Sequence, residues 1–282
     1  MQLLSIQSHV VYGHVGNSAA VFALQRLGCE VWPIHTVQFS NHTGYGAWTG
    51  RVFDAAMISE LVDGLVARGV LAACDGLISG YMGSADTGAA ILDAVATVKA
   101  ANPAARYCCD PVIGDVHRGV FVRAGIVEFM RDHAVRCADI ATPNHFELDR
   151  LVGGSSKTMK ETCDAIDALH AIGPGTVLVT SVRTEETPDD ALDLIASDSA
   201  GRFRLRTPNL PIAADGAGDL MAALFMFHLL ECGLSAKALS RATSAVFGLL
   251  KRTAAVGARE MRLIEAQEEL VNPSTVFPAE RI

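Results

Sequence analysis

Short apolar runs bounded by Gly, Pro or Asp alternate with longer segments of helical period through the first two-thirds of the chain, and this alternation restricts the fold more than any other feature. Repeated strand-helix units pack as a mainly parallel sheet with helices on both faces. The pattern predicts strands near 2–6, 30–36, 74–79, 106–110, 138–142 and 176–182. Helices are expected at 17–27, 54–69, 84–101, 123–133 and 158–171, where small and apolar residues recur at three- and four-residue spacing. After Thr180 the pattern changes. Ala191 to Ser197 and Arg202 to Arg206 read as a hairpin, and nearly everything from Gly218 to Val256 is helix-forming, punctuated at Gly233-Leu234-Ser235.

No repeat, low-complexity tract or Pro/Ser-rich linker interrupts the 282 residues, so 1–282 reads as a single domain. Half the residues are hydrophobic, enough for a core without metals or disulfides. The formal charge is −8, and no basic stripe exists to neutralise a polyanion, which disfavours nucleic acid. A small anion would need a local field from helix N-termini, one or two cations, or a metal. The seven Cys lack the spacing of a zinc site or a redox pair and read as small buried hydrophobes in a reducing compartment. Cys108 and Cys109, adjacent in one strand, are expected to face opposite sides of the sheet. The N-terminus is unlike a signal peptide, and the most apolar helix, Leu220 to Leu230, is too short for a membrane span, so a cytoplasmic location is expected.

The most informative segment is Asp215-Gly216-Ala217-Gly218-Asp219, directly ahead of an apolar helix. Glycines there let successive N–H groups converge on one point, and a helix N-terminus strengthens the resulting anion site. Asp219 then reads either as a base that takes a proton from an attacking hydroxyl or as an ordinary N-cap. The dinucleotide fingerprint is missing after the first strand, and so is a GxxxxGK[ST] loop. Asp110-Pro111 and Thr142-Pro143-Asn144-His145-Phe146-Glu147 place two carboxylates at neighbouring strand ends, where Asp110 and Glu147 suit Mg²⁺ beside phosphates and Asn144 to Glu147 equally suits a capping box. Ser8, His9 and His14 at the first strand's exit, the loop Gln38 to Tyr45, and Tyr81 are candidates to line a pocket for a small polar aromatic ligand. Residues near 113–122 read as a lid over a transferred group or as a plain connection.

Together these segments resemble pyridoxal kinases of the ribokinase-like superfamily. Gly216-Ala217-Gly218-Asp219 is similar to the signature of the superfamily, whereas Gln7 to Asn17 and Val37 to Thr43 resemble pyridoxal kinases in particular. The resemblance implies a three-layer α/β/α sandwich, usually dimeric, that phosphorylates the 5′-hydroxyl of pyridoxal with ATP and Mg²⁺. It implies Asp219 as base, Gly216, Ala217 and Gly218 as anion hole, and Ser8, Thr43, Gly44 and Tyr81 around the ring. Asp110, Thr142, Glu147 and Thr180 would lie beside ATP and Mg²⁺, and Thr207, Pro208, Asn209 and Leu210 near the nucleotide. Thr180 stands where close relatives often carry Lys, Val120 where some carry Cys, and Gly44 where some carry Gln. A hydroxymethylpyrimidine-type kinase and a B6-binding protein with little turnover are the competing readings.

Overall fold

The parallel order expected from the alternation is what the chain adopts. In the computed structural model, which describes residues 1–212 and 214–282, β1 (Gln2–Tyr12) leads through α1 (Asn17–Arg26) to β2 (Glu30–Asn41), β3 (Gly50–Val52) and α2 (Ala55–Arg68). Next come β4 (Gly76–Ser79), α3 (Ala85–Ala101), β5 (Arg106–Cys109) and a separate hairpin of β6 (Gly114–Asp115) and β7 (Gly119–Val120). A helix assembled from α4 (Ile126–Phe129), a π-helical turn at Met130–Ala134 and α5 (Val135–Cys137) then leads to β8 (Ile140–Ala141), α6 (His145–Val152) and α7 (Met159–Ile172). The chain ends with β9 (Thr176–Val182), β10 (Ala191–Asp198), β11 (Gly201–Pro208), α8 (Ala217–Cys232), α9 (Ser235–Ala255), α10 (Glu268–Val271) and β12 (Glu280–Arg281).

The strands form one ten-stranded sheet in the order β12-β11-β10-β9-β8-β5-β4-β1-β2-β3. From β9 across to β2 every pairing is parallel, and the antiparallel strands sit at the two edges. Side-chain alternation feeds two cores. Leu4, Ile6, Leu77, Tyr107, Cys109 and Val177 face α2, α3, α6 and α7, while Leu3, Ile78, Cys108 and Leu178 face α1, α8 and α9. Cys108 and Cys109 thus point to opposite faces, as the period of two requires.

Local chemistry sets the helix ends. Asp54 accepts from the Met57 N–H at 2.9 Å and Ser84 from the Thr87 N–H at 3.1 Å, while Gly69 ends α2 in the left-handed region. In the acidic stretch at 185–190, Glu186 accepts from the Met159 N–H of α7 at 3.0 Å.

Several boundaries differ from the sequence reading. The first two strands run on to Tyr12 and Asn41, because they keep pairing with each other beyond the rest of the sheet, across a register shift between Gln7 and His9. Ser8 consequently lies within a strand. The helix expected at 123–133 begins at Ile126 and reaches Cys137 through the π turn, whose wider winding masks the 3.6-residue period. The edge strands β3 and β12 are too short to announce themselves.

The chain switches direction at β1, running first to β2 and then to β4 on its other side. Open parallel sheets bind ligands at the carboxyl ends of strands at such a switch point.

Candidate active site

A cleft of about 690 Å³ opens at that switch point. Each of its polar walls comes from the carboxyl end of a strand or the turn after it. Ser8 comes from β1, Thr43 and Gly44 from the turn after β2, Tyr81 from the residues after β4, Asp110 from the end of β5, Thr142 from the end of β8 and Thr180 from β9. Gly216, Ala217, Gly218 and Asp219 close it from the start of α8. A second cavity of about 170 Å³ shares Thr180, Ser181, Ala217 and Gly218 with the first and is lined by Thr207, Pro208, Asn209 and Leu210 with apolar Leu194, Ile212, Met221 and Phe247. The fold therefore gathers the residues expected around the ring, the phosphates and the nucleotide into two adjoining spaces, whereas the candidates His9, His14, Gln38, Ser40, Asn41 and Tyr45 line neither. The two spaces meet at the N-terminus of α8.

Gly216 must be glycine for two reasons. Its φ is 88°, in the left-handed region, and a Cβ there would overlap the His14 carbonyl oxygen. No side chain caps α8, so the N-cap alternative for Asp219 is not what the helix uses. The first-turn N–H groups have no intrahelical acceptor, and at the wall of a cleft they form a ready anion site. Gly16 repeats the device at the end of β1. Its φ is 53°, and a Cβ would strike the Ser8 carbonyl and hydroxyl. Asn17 behind it is buried, accepts from Ser5 Oγ at 2.7 Å and donates to the Ile34 carbonyl at 2.9 Å, which ties the loop to β1 and β2.

Burial pushes the Asp219 carboxyl above the usual carboxylate range, opposed by the Gly16 N–H and by His42. A carboxylate raised in this way accepts a proton more readily near neutral pH. Burial likewise pushes Asp110 well up, with Glu147 and Asp219 adding repulsion and the Thr142 hydroxyl, which donates to Oδ1 at 3.0 Å, opposing it. Burial raises Glu147 to about 7, although it accepts from the Ile113, Gly114 and Asn144 N–H groups. Asn144 and Glu147 form the expected capping box on α6, and the same Glu147 carboxylate lines the cleft.

The sequence reading passed over Trp48, Ser181, Arg259 and Glu260, and it missed how the other residues of the site pair. His42 Nδ1 lies 2.8 Å from Asp215 Oδ2, and Arg118 of the β6–β7 hairpin stands 3.6 Å from Asp215 Oδ1. Glu260, far along the chain, accepts from the Tyr45 hydroxyl at 2.5 Å and from the His14 N–H at 3.2 Å, while Arg259 donates to the Gly44 carbonyl at 2.6 Å. These contacts bind the loops after β1 and β2 to the segment after α9. Ser181, on the shared wall of both cavities, has φ 52°, a strained value for a residue with a side chain. Phe39 and Trp48 stack at 4.0 Å between ring centres on the wall of the larger cleft. No local spacing links 14, 45 and 260, so only the fold reveals that group.

A family model described as phosphomethylpyrimidine kinase matches residues 76–263. Among curated relatives, pyridoxal kinase PdxY of Granulibacter bethesdensis is 53% identical over 99% of this chain and 99% of its own. Pyridoxal kinase PdxY of Corynebacterium diphtheriae is 49% identical over the full length of both. Among solved structures, pyridoxal kinase from Leishmania donovani in complex with ADP and pyridoxamine matches with a TM-score of 0.91 at 30% identity, covering 100% of this chain and 99% of that one.

Proposed function

This chain belongs to the pyridoxal kinase family, and from that premise we propose that it transfers the γ-phosphoryl group of ATP to the 5′-hydroxyl of pyridoxal in the cleft around Asp219. The observation that carries the reading is the meeting, in one cleft, of Ser8, Thr43, Gly44 and Tyr81 with the open N-terminus of α8 and a half-buried, proton-hungry carboxylate. The adjoining apolar slot beside Thr207 to Leu210 suits the adenine end of the nucleotide. The family model, matched over 76–263, leaves out Ser8 and Thr43, so the ring side is where this chain is distinguished from a pyrimidine kinase.

Asp219 takes the proton of the hydroxyl as its oxygen bonds to the γ-phosphorus. The bond from that phosphorus to the ADP oxygen breaks, and ADP leaves with the electron pair. Gly216, Ala217 and Gly218 direct amide dipoles at the migrating group, where charge spread over its oxygens needs neutralising more than covalent help. Thr180 offers a hydroxyl, not a cation, on the nucleotide side.

Asp110 and Glu147 fit Mg²⁺ held jointly with the phosphates. They are hard oxygen donors, and repulsion between them adds to the burial that holds Asp110 protonated well above its usual range, which a cation would relieve. Thr142 occupies Asp110 Oδ1, and among the described residues no hydrogen bond reaches Oδ2. Glu147 already accepts three backbone N–H groups, so it would help hold the ion at one remove from Asp110. Among the described residues no cluster of three or more His, Cys, Asp or Glu is set to hold a metal alone, which fits an ion that arrives with the nucleotide. When bound, Mg²⁺ neutralises phosphate charge.

The whole chain, 1–282, acts in this reading as one kinase domain with the β6–β7 hairpin as its lid. It works as a cytoplasmic homodimer; the seven free thiols suit a reducing compartment, and no helix among the described residues is long and apolar enough to cross a membrane. Purified protein given ATP, Mg²⁺ and pyridoxal should form pyridoxal 5′-phosphate, followed by its absorbance. Turnover of hydroxymethylpyrimidine in its place, or tight aldehyde binding without turnover, overturns the proposal.

A further inference from the structure

Among the described residues, five carboxylates line the larger cleft, at Asp110, Asp115, Glu147, Asp215 and Asp219, against two arginines, Arg118 and Arg123, and no lysine. Arg118 belongs to the segment expected to form the lid, 113–122, and Arg123 directly follows it. A nucleotide tetra-anion entering this space needs cationic help from them beyond any metal. Arg123 lies toward the ring end, where its charge reaches the Tyr81 phenol. Arg118 lies toward the N-terminus of α8.

Arg118 is clamped from two sides. Its Nε donates to Asp115 Oδ2 at 2.6 Å, and its guanidinium sits 4.6 Å from the centre of the Phe121 ring. Asp115 also accepts the backbone N–H groups of His117 and Arg118, at 2.9 and 2.7 Å, so the turn carrying the arginine is fixed by the same carboxylate. The far end of the fork remains open. Nη1 stands 3.6 Å from Asp215 Oδ1, an ion pair too long for a hydrogen bond, and among the described residues Nη2 has no hydrogen bond. Asp215 immediately precedes Gly216. The uncommitted end of a planar, permanently charged donor is thus held at the cleft wall beside Asp215, the residue that leads into the amide nest.

We propose that Arg118 is a catalytic residue of the transfer step, whose Nη groups hold the migrating phosphoryl group together with the amides of Gly216, Ala217 and Gly218. This rests on the kinase reading above. Arg118 takes no part in bond making: the proton still goes to Asp219 and the electron pair to ADP. Asp215, itself paired with His42, parks the guanidinium near the nest until phosphate oxygens, better acceptors at shorter range, displace it.

The test compares wild type, Arg118→Ala, Arg118→Lys and Asp115→Ala in steady-state turnover with ATP, Mg²⁺ and pyridoxal, alongside ADP binding by calorimetry. Arg118→Ala is expected to lower kcat about 10²- to 10³-fold, the usual cost of one preorganised charge-stabilising donor. Its KM for pyridoxal and its ADP affinity should stay near wild type, and added guanidinium ion should restore part of kcat. Arg118→Lys should recover less than half of the loss on a logarithmic scale, since a point charge does not reproduce a bidentate fork. Asp115→Ala, which keeps the guanidinium but loosens its aim, should lose about tenfold or less. An Arg118→Ala enzyme with wild-type kcat overturns the inference. So does one that loses kcat, pyridoxal KM and ADP affinity together without response to guanidinium, because that is a lid that fails to fold. Wild type without any turnover overturns the kinase reading itself, and this inference with it.

Discussion

Gly216→Ala should disable the enzyme without touching any reacting side chain. Holding alanine at a φ of 88° costs about 1–2 kcal/mol, the usual penalty for an L-residue in the left-handed region. The new Cβ also overlaps the His14 carbonyl oxygen, so either the loop after β1 or the start of α8 must move, at about 1–3 kcal/mol for an overpacked site. The sum, about 2–5 kcal/mol, corresponds to a Tm lower by roughly 5–15 °C in a chain of this size. Whichever side moves, the N–H groups of Ala217 and Gly218 leave their aim, and kcat should fall at least about 10²-fold. Gly218→Ala is the internal control: its φ lies outside the left-handed region, and a Cβ there meets nothing within 4 Å. Its Tm should hold or rise slightly, by the about 0.4–1 kcal/mol that Gly→Ala gives at a compatible position. Differential scanning fluorimetry and initial rates on the two variants decide the matter. If Gly216→Ala keeps both its Tm and its kcat, the amide nest is not held by contact with the loop after β1, and the argument for a preorganised anion site fails.

Asp219→Asn should lower kcat about 10²- to 10⁴-fold while pyridoxal binding, measured by fluorescence titration, stays within a few-fold. Because the folded-state carboxyl is raised above its usual range, it stabilises the fold only below that range, and the contribution is lost as pH rises through the raised value. The Asp219→Asn variant should therefore melt higher than wild type at pH 8 and gain little or nothing at pH 4; equal differences at both would refute the burial argument. Glu260→Ala removes two hydrogen bonds that join the loops after β1 and β2, so KM for pyridoxal should rise about tenfold at about 0.5–1.5 kcal/mol each, with kcat largely kept. In the same variant the Tyr45 phenol, pushed up to about 12 first by its bond to Glu260, should titrate nearer its ordinary range in ultraviolet absorbance. His35 is lowered to about 4 by burial and by the His9 ring stacked 4.3 Å away, so the unfolded chain takes up a proton there before the folded one does. Stability should accordingly fall as pH drops from about 6.5 toward 4, by about 1–2 kcal/mol at pH 5 after allowance for a half-buried ring. Urea midpoints at pH 7.5 and 5 should show that fraction of the slope disappearing in His35→Gln.

The parallel core was legible because two periods carry it. Strands buried on both faces are continuous apolar runs, and amphipathic helices repeat near 3.6 residues, so β1, β2, β4, β5 and β9 and the long helices stand where expected. Elements that owe their form to tertiary partners were not legible. The β1 and β2 extensions exist because each pairs with the other, and the π turn at Met130–Ala134 interrupts the period that would mark its helix. The site divides in the same way. Gly216 to Asp219 and Asn144 to Glu147 are local patterns with local mechanisms, visible in the order of residues. The pairing of His42 with Asp215, the approach of Arg118 to Asp215, and the union of His14, Tyr45 and Glu260 are juxtapositions across the chain, and sequence spacing carries no trace of them.

An acidic protein that handles an acidic co-substrate must keep its own charge out of the way, and the cleft shows how. Asp110 and Glu147 are buried, and burial raises both toward the protonated form, so the cleft by itself presents less negative charge than its composition suggests. Asp215 and Asp115 are ionised but matched, by His42 and by Arg118. Asp219 alone faces the amide nest, and its raised affinity for a proton is what a base at that point requires. Glu147 adds a mechanical link, because its Oε1 accepts the Ile113 and Gly114 N–H groups at the root of the β6–β7 hairpin. A cation with nucleotide phosphates beside Asp110 would draw Glu147 toward the ionised form and strengthen both bonds, so charge compensation and the fixing of the hairpin that carries Arg118 become one event.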